Sequence, residues 1–331
     1  MSSVSILNPK YSDLSWGLTV IVPTRNRHLL LSKTLESLLG LPEISTIVIV
    51  DDHSAIPVQV VSPKVKIVRN TFCMGEGLSI NRAIPFVHTK YLAIVSDDDP
   101  QGEEWLPEIF NMIRKKPGYI GYYPSNIFVA EGLIRKRILA VKYYSFEMSY
   151  FEFMPCLAGV VMDYELIRSR GIHEIRSSIE FPNDFIQWLH LSRIGRFKPV
   201  PRSLARWQIH QNQMSNSIVT TNKSLQYLNN VMEWKSKNLS RFRGLSFSVT
   251  IIRYLQMNIT RNISWRQDFR VTCSEVYSIL KKYPMRRTFL LVNFLLAFTY
   301  LTLRKSCTLI QSIICQIYLR LLAKKKRPGF K

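Results

Sequence analysis

YLAIVSDDDP, residues 91–100, is the stretch on which the fold turns. Tyr91 to Val95 is apolar throughout, too short for a buried helix, and suits a parallel strand covered on both faces. It ends in Ser96 and three aspartates, Asp97, Asp98 and Asp99. Adjacent like charges repel, so folding alone does not favour them. A divalent cation bridging to a diphosphate would relieve the repulsion, and Mg²⁺ and Mn²⁺ take oxygen ligands of this kind. A solvated acidic turn or helix cap is the plainer alternative.

Working outward, the same pattern recurs upstream. LTVIV at 18–22 reads as a buried strand and runs into Pro23-Thr24-Arg25-Asn26-Arg27; TIVIV at 46–50 reads as another and ends in Asp51-Asp52. A short strand is expected at 65–68. Helical spacing predicts helices over 29–39, ending at Gly40, over 75–87, and over 103–115 with acidic residues at its positive end. Strands alternating with helices indicate a doubly wound α/β domain. Ligands bind such sheets beyond the carboxyl ends of the strands, which is where the three polar clusters fall. A carboxylate at Asp52 suits the base or ribose of a nucleoside; capping by Asp52 and Ser54 is the alternative.

Downstream the pattern loosens. Residues 127–140 suggest a hairpin around Glu131-Gly132, 156–162 a strand, 164–169 and 185–194 helices, and 197–200 and 203–210 two short strands. Asp184 opens a helix, either as a cap or as a functional carboxylate. His210 closes a strand-like run ahead of Gln211-Asn212-Gln213; a lone histidine is more often structural than a ligand.

Charge is unevenly spread over the 331 residues. The chain holds 45 Lys+Arg and 23 Asp+Glu, a net +22. Residues 231–331 carry 20 of the cations and 3 of the acids, a net +17, leaving +5 for residues 1–230. This predicts a catalytic domain over 1–230 and a basic helical appendage over 231–331. The appendage contains two apolar runs, FLLVNFLLAFTYLTL at 289–303 and TLIQSIICQIYLRLLA at 308–323, each flanked by cations. Both fall short of the roughly 20 residues that span a bilayer. They suit helices lying in an anionic membrane surface, or core helices closing the domain. Nucleic acid is a poor fit, because long aliphatic runs interleave the cations and no nucleic-acid motif is present. The five cysteines form no Cys-x-x-Cys pair, which argues against a zinc ribbon. The amino-terminal residues lack the apolar core of an export signal. That predicts a cytoplasmic enzyme, peripheral on the cytoplasmic face of the inner membrane.

Five segments in order, VIVPTRNR (20–27), IVIVDDHS (47–54), YLAIVSDDDP (91–100), NDFIQWLHLSRIGRF (183–197) and ARWQIHQNQMS (205–215), resemble glycosyltransferase family 2, of the bacterial surface-polysaccharide type. The resemblance covers residues 17–217 and implies a GT-A fold, a Rossmann-like, mostly parallel sheet flanked by helices. It implies an inverting transfer of a sugar from a nucleotide donor, of the UDP class, to a hydroxyl of a glycan or lipid-linked glycan, with Mn²⁺ or Mg²⁺. By the same resemblance Pro23, Thr24 and Arg25 line the nucleotide pocket and Asp52 contacts uracil or ribose. Asp97 and Asp98 stand at the nucleotide and diphosphate. Asp99, with Asp97, binds metal, supported by His210. Asp184 is the general base.

Some positions depart from the family pattern. His53 replaces the usual Gly after the Asp pair, Asn183 an acidic residue, and Ile80 an Arg before Asn81. Ser96 leaves the metal motif's register open by one residue. Two rival functions remain. A sugar-phosphate nucleotidyltransferase would show a Gly-rich loop after the first strand, where this chain has none. A non-catalytic membrane or nucleic-acid binder on a degenerate transferase fold would not need Asp52, Asp99 and Asp184 intact.

Overall fold

The computed structural model describes residues 14–131, 134–139, 158–175, 183–209, 223–238 and 250. The chain divides into two compact units, residues 1–149 with 153–213 and residues 150–152 with 214–331.

The first unit is built on one eight-stranded sheet in the order β3-β2-β1-β4-β7-β5-β6, with β8 paired to β5. Its strands are β1 (Ser15–Thr24), β2 (Ile44–Asp51), β3 (Val65–Arg69), β4 (Thr89–Ile94), β5 (Gly121–Glu131), β6 (Ile134–Leu139), β7 (Val161–Asp163) and β8 (Phe197–Ile209). The half from β3 to β4 is wholly parallel. Its apolar runs explain this, because Leu18, Val20, Ile21, Val22, Ile47, Val48, Ile49 and Val50 are all completely buried, as strands covered on both faces must be.

Helix α1 (His28–Leu39) buries Leu31, Thr34, Leu35 and Leu38, and α3 (Leu106–Lys115) buries Leu106, Ile109, Phe110 and Ile113. Both stripes have helical spacing, and both join the cluster formed by Leu18, Val20, Val22, Ile47, Ile49, Tyr91, Ala93 and Val95. Helix α2 (Glu76–Ala83) packs on β1 and β2. Pro85 limits its continuation to one tighter turn at Ile84–Phe86, because proline offers no N–H to the helix ladder.

Beyond β4 the sheet turns mixed. β7 runs antiparallel to β4 and β5, β6 antiparallel to β5, and β8 parallel to β5. The expected hairpin is β5–β6. The two short strands expected at 197–200 and 203–210 are one strand, β8. Its register with β5 shifts between Pro124 and Asn126, and Asn126 Nδ2 spans the break by donating to the carbonyls of Pro201 (2.6 Å) and Ser203 (3.3 Å). Pro199 and Pro201 supply no ladder N–H, which is why the sequence looks interrupted there. Helix α3 starts three residues later than its spacing suggests. Residues 102–105 are taken up by β8 instead: Leu204 N–H donates to the Glu104 carbonyl and Ser203 Oγ to the Trp105 carbonyl. Helix α4 (Tyr164–Ser169) is capped by Asp163, whose side chain accepts from Leu166 N–H. Helix α5 (Asn183–Ile194) rests on β7 through Gln187 Nε2, 3.3 Å from Met162 Sδ, and on β8 through an edge contact of Trp188 with Phe197.

In the second unit, α6 (Lys223–Asn238) buries Leu228, Val231, Met232 and Lys235 at helical spacing. The Lys235 ammonium donates to Thr250 Oγ1 at 2.6 Å. Among the described residues no helix is long and apolar enough to cross a membrane. The apolar runs at 289–303 and 308–323 lie outside the described residues.

Candidate active site

The carboxyl ends of β1, β2 and β4 meet at one rim. Register pairs Thr24 with Asp51, and Asp52 N–H donates to the Thr24 carbonyl at 2.9 Å, so the β1 and β2 ends are flush. Two left-handed residues shape the loops above them, Asn26 (φ 56°) and His53 (φ 60°). Asn26 is held there by the loop after β2: its N–H donates to Ser54 Oγ (2.9 Å) and its Oδ1 accepts from Ala55 N–H (2.8 Å). The φ of His53 explains why glycine suits this position.

Asp51 and Asp52, adjacent in sequence, serve different ends. The Asp51 carboxylate is fully buried and accepts from Ser54 N–H (2.8 Å), Val58 N–H (3.2 Å) and the Arg69 guanidinium. Asp52 organises residues 70–75: Oδ1 accepts from Asn70 Nδ2 (2.8 Å) and Met74 N–H (2.7 Å), and Oδ2 from Cys73 Sγ (3.3 Å) and Gly75 N–H (2.9 Å). Burial alone would raise both carboxyls, but in each case the hydrogen bonds together outweigh it and hold the group below its ordinary value. Asp52, expected at the base or ribose, thus has two donors from its own chain on each oxygen.

The acidic turn follows β4. Asp97 Oδ2 accepts from Thr24 Oγ1 at 2.7 Å, and Thr34 Oγ1 donates to the Asp97 carbonyl at 2.9 Å. Arg27 Nη1 lies 3.0 Å from both Asp97 Oδ1 and Asp98 Oδ2. Asp99 turns toward β8, where Gln208 N–H donates to its Oδ1 at 2.8 Å. Gln101 locks the turn to the same strand: Nε2 donates to the Arg206 carbonyl (2.9 Å) and Oε1 accepts from Arg206 N–H (3.0 Å). Burial raises the Asp97 carboxyl, and the Asp98 charge adds to this against the opposing pull of Thr24 and Arg27. Burial raises Asp99 further, helped by the Asp98 and Asp97 charges.

Among the sequence candidates, the fold therefore brings together Thr24, Asp97 and Asp98, with Asp99 one residue on. Pro23 is half-buried in β1 and Arg25 is exposed on the loop above it. Asp184 stands half-buried in the first turn of α5. His210 lies outside the described residues. Sequence reasoning passed over Arg27 and Gln101. A basic residue two positions past Arg25, at the start of a helix where cations are disfavoured, is the one signal that pointed to Arg27. Gln101 carried none.

Oxygen donors in a buried, charge-repelling turn fit a hard cation that is held by one or two carboxylates and completes its shell from substrate phosphates. Among the described residues no group of three or more His, Cys, Asp or Glu side chains is arranged to hold a metal by itself.

A wholly parallel half, a mixed extension and an acidic turn at the rim give the expected GT-A fold. Residues 19–173 match the family model "Glycosyl transferase family 2", and they form a domain of that family. Solved structures that match the chain include S. aureus TarS 1–349 in complex with UDP-GlcNAc, at 13% identity over 73% of this chain and 81% of that one, TM-score 0.49. The same residues in complex with UDP match at 12% over 80% and 88%, TM-score 0.49, and S. aureus TarS at 12% over 81% and 55%, TM-score 0.48. No curated protein matches the chain.

Proposed function

We propose that this glycosyltransferase moves a sugar, with inversion, from a nucleotide donor of the UDP class to a hydroxyl of a glycan or lipid-linked glycan, assisted by Mn²⁺ or Mg²⁺ at the acidic turn. The observation that carries this reading is the charge imbalance at 97–99. Three carboxylates of low exposure share one turn, and burial and mutual repulsion raise two of them. Asp99 with the donor's phosphates is the natural seat of a cation, with Asp97 beside it and His210 as a supporting ligand. Bound there, the cation supplies positive charge to the departing diphosphate.

The chain's own residues do the rest. Pro23, Thr24 and Arg25 line the nucleotide pocket, and Asp52 holds the 70–75 loop at the base and ribose. Asp97 and Asp98 orient the ribose and diphosphate. The Asp184 carboxylate accepts the proton of the acceptor hydroxyl. As that oxygen forms its bond to the anomeric carbon, the opposite bond from carbon to phosphate oxygen breaks, and its electron pair leaves on the diphosphate. One displacement from the far side inverts the centre.

The basic region 231–331 fits an anionic membrane surface, which would hold the enzyme on the cytoplasmic face beside a lipid-linked acceptor. Salt-sensitive binding to anionic vesicles is expected of the full chain, and its survival in a version truncated near residue 240 overturns that role.

A thermal-shift panel of nucleotide sugars, each with Mn²⁺ and with chelator, tests the whole. A ligand at 100 times its Kd stabilises by about 2.7 kcal/mol. UDP-sugars with Mn²⁺ should raise Tm by several degrees more than without it. No response to any nucleotide sugar under either condition refutes the reading.

A further inference from the structure

Arg27 occupies a position that its own helix does not favour. It is the N-cap of α1, makes no side-chain cap bond, and places a cation at the positive end of the helix dipole. What holds it there is the acidic turn about 70 residues downstream. A single nitrogen, Nη1, stands 3.0 Å from Asp97 Oδ1 and 3.0 Å from Asp98 Oδ2. This differs from the two-nitrogen fork on one carboxylate that makes the strongest arginine pairs. The second Asp97 oxygen is held by Thr24. The two carboxylate side chains are 5% exposed, whereas the Arg27 side chain is 24% exposed.

This geometry has two electrostatic consequences. The guanidinium occupies an oxygen of each carboxylate next to Asp99, oxygens that a cation would otherwise draw on. Its positive charge also repels any cation approaching the turn. A diphosphate reverses both effects. Its oxygens accept from the guanidinium in place of the carboxylates, and a planar group with five N–H donors can keep one carboxylate while taking a phosphate.

We propose that Arg27 is a positioning residue that closes the acidic turn to divalent cations until a nucleoside diphosphate arrives, so that cation and nucleotide enter as a unit. The proposal rests on the metal-assisted reading above but goes beyond it. That reading says a cation is used; this one says what keeps it out beforehand.

The test is Mn²⁺ binding to the full-length protein by calorimetry, alone and with saturating UDP, for the wild type, Arg27→Gln and Arg27→Lys. Circular dichroism checks that each variant is folded. The wild type should bind Mn²⁺ at least tenfold more weakly alone than with UDP. Arg27→Gln should bind Mn²⁺ alone at least tenfold more tightly than the wild type, while its affinity for UDP in the presence of Mn²⁺ falls about tenfold. Arg27→Lys keeps the charge on a shorter side chain, and its one nitrogen cannot hold a carboxylate and a phosphate through separate nitrogens as a guanidinium can, so it should fall between the two on both measures. It decides the matter if Arg27→Gln does not fold. Equal Mn²⁺ affinity of the wild type and the folded variants without UDP overturns the role of Arg27, while UDP-dependent Mn²⁺ binding leaves the metal reading standing. Absence of Mn²⁺ binding in every protein, with and without UDP, overturns both.

Discussion

Replacing Asp52 with Ala removes the acceptor of four hydrogen bonds, and their environments set the cost. Met74 and Gly75 donate backbone N–H groups from a half-buried loop, where water reaches them in part; each loss costs about 1 kcal/mol. Asn70 is buried and loses a bond to a charged group, about 1.5–2 kcal/mol, although its Nδ2 keeps Ser79 Oγ at 2.9 Å. Cys73 is exposed and re-solvates at little cost. The total is about 3.5–4 kcal/mol. For a domain of roughly 200 residues this lowers Tm by about 7–16 °C. Cys73→Ala serves as the control and should leave Tm within about 2 °C. The folded-state carboxyl of Asp52 lies below its unfolded value. Its stabilisation is therefore complete above the unfolded value of 3.8 and drains away as pH falls through the folded one. The gap between wild type and Asp52→Ala, measured by thermal melting, should be full at pH 7 and narrow below about pH 4. An Asp52→Ala Tm within about 2 °C of wild type, with unchanged circular dichroism, would refute the reasoning that this carboxylate ties the loop.

Four further variants have expected outcomes. Asp184→Asn should cut turnover by several orders of magnitude, on the order of 10³-fold or more for a lost general base, while UDP affinity by calorimetry changes less than threefold; unchanged turnover removes Asp184 from its role. Gly159→Ala should cost several kcal/mol by denaturant melting, because φ is +77° and the new methyl would meet Ala205 Cβ at 2.7 Å and Pro124 Cγ at 2.9 Å. Gly102→Ala meets only the mobile ends of Glu104 and Arg206 and should cost under about 1 kcal/mol, so equal losses would contradict the packing described. His53→Gly relieves a left-handed residue and should raise Tm by about 2–4 °C, with a fall in Tm showing that the imidazole supplies a compensating contact.

Much of the fold was legible in linear sequence because the parallel half is covered on both faces. Completely buried strands must be unbroken apolar runs, so LTVIV, TIVIV and YLAIV announced themselves, and the polar residues where each run stops marked the rim. Periodicity located α1 and α4 for the same local reason. Legibility failed where a residue's partner is distant. Pro199 and Pro201 made β8 look like two strands, because a side chain of β5, Asn126, carries the ladder across the gap. Glu103 and Glu104 looked like the first turn of α3, because the claim of β8 on the backbone there comes from about 100 residues downstream.

The aspartates show the division most clearly. Sequence alone determined that polar clusters collect at three strand ends and carboxylates at two of them, since strand length and polarity are local properties. Only tertiary structure decided what each one does. Asp51 and Asp52 are neighbours with the same side chain, yet alternation along the strand end sends one to Arg69 and the other to the 70–75 loop. Asp97 and Asp98 face Arg27 while Asp99 faces the backbone of β8. Charge and protonation follow from partners and burial, which chain folding assembles for Asp51 and Asp52 from as far as 23 residues away and for Asp97, Asp98 and Asp99 from 70 to 109 residues away.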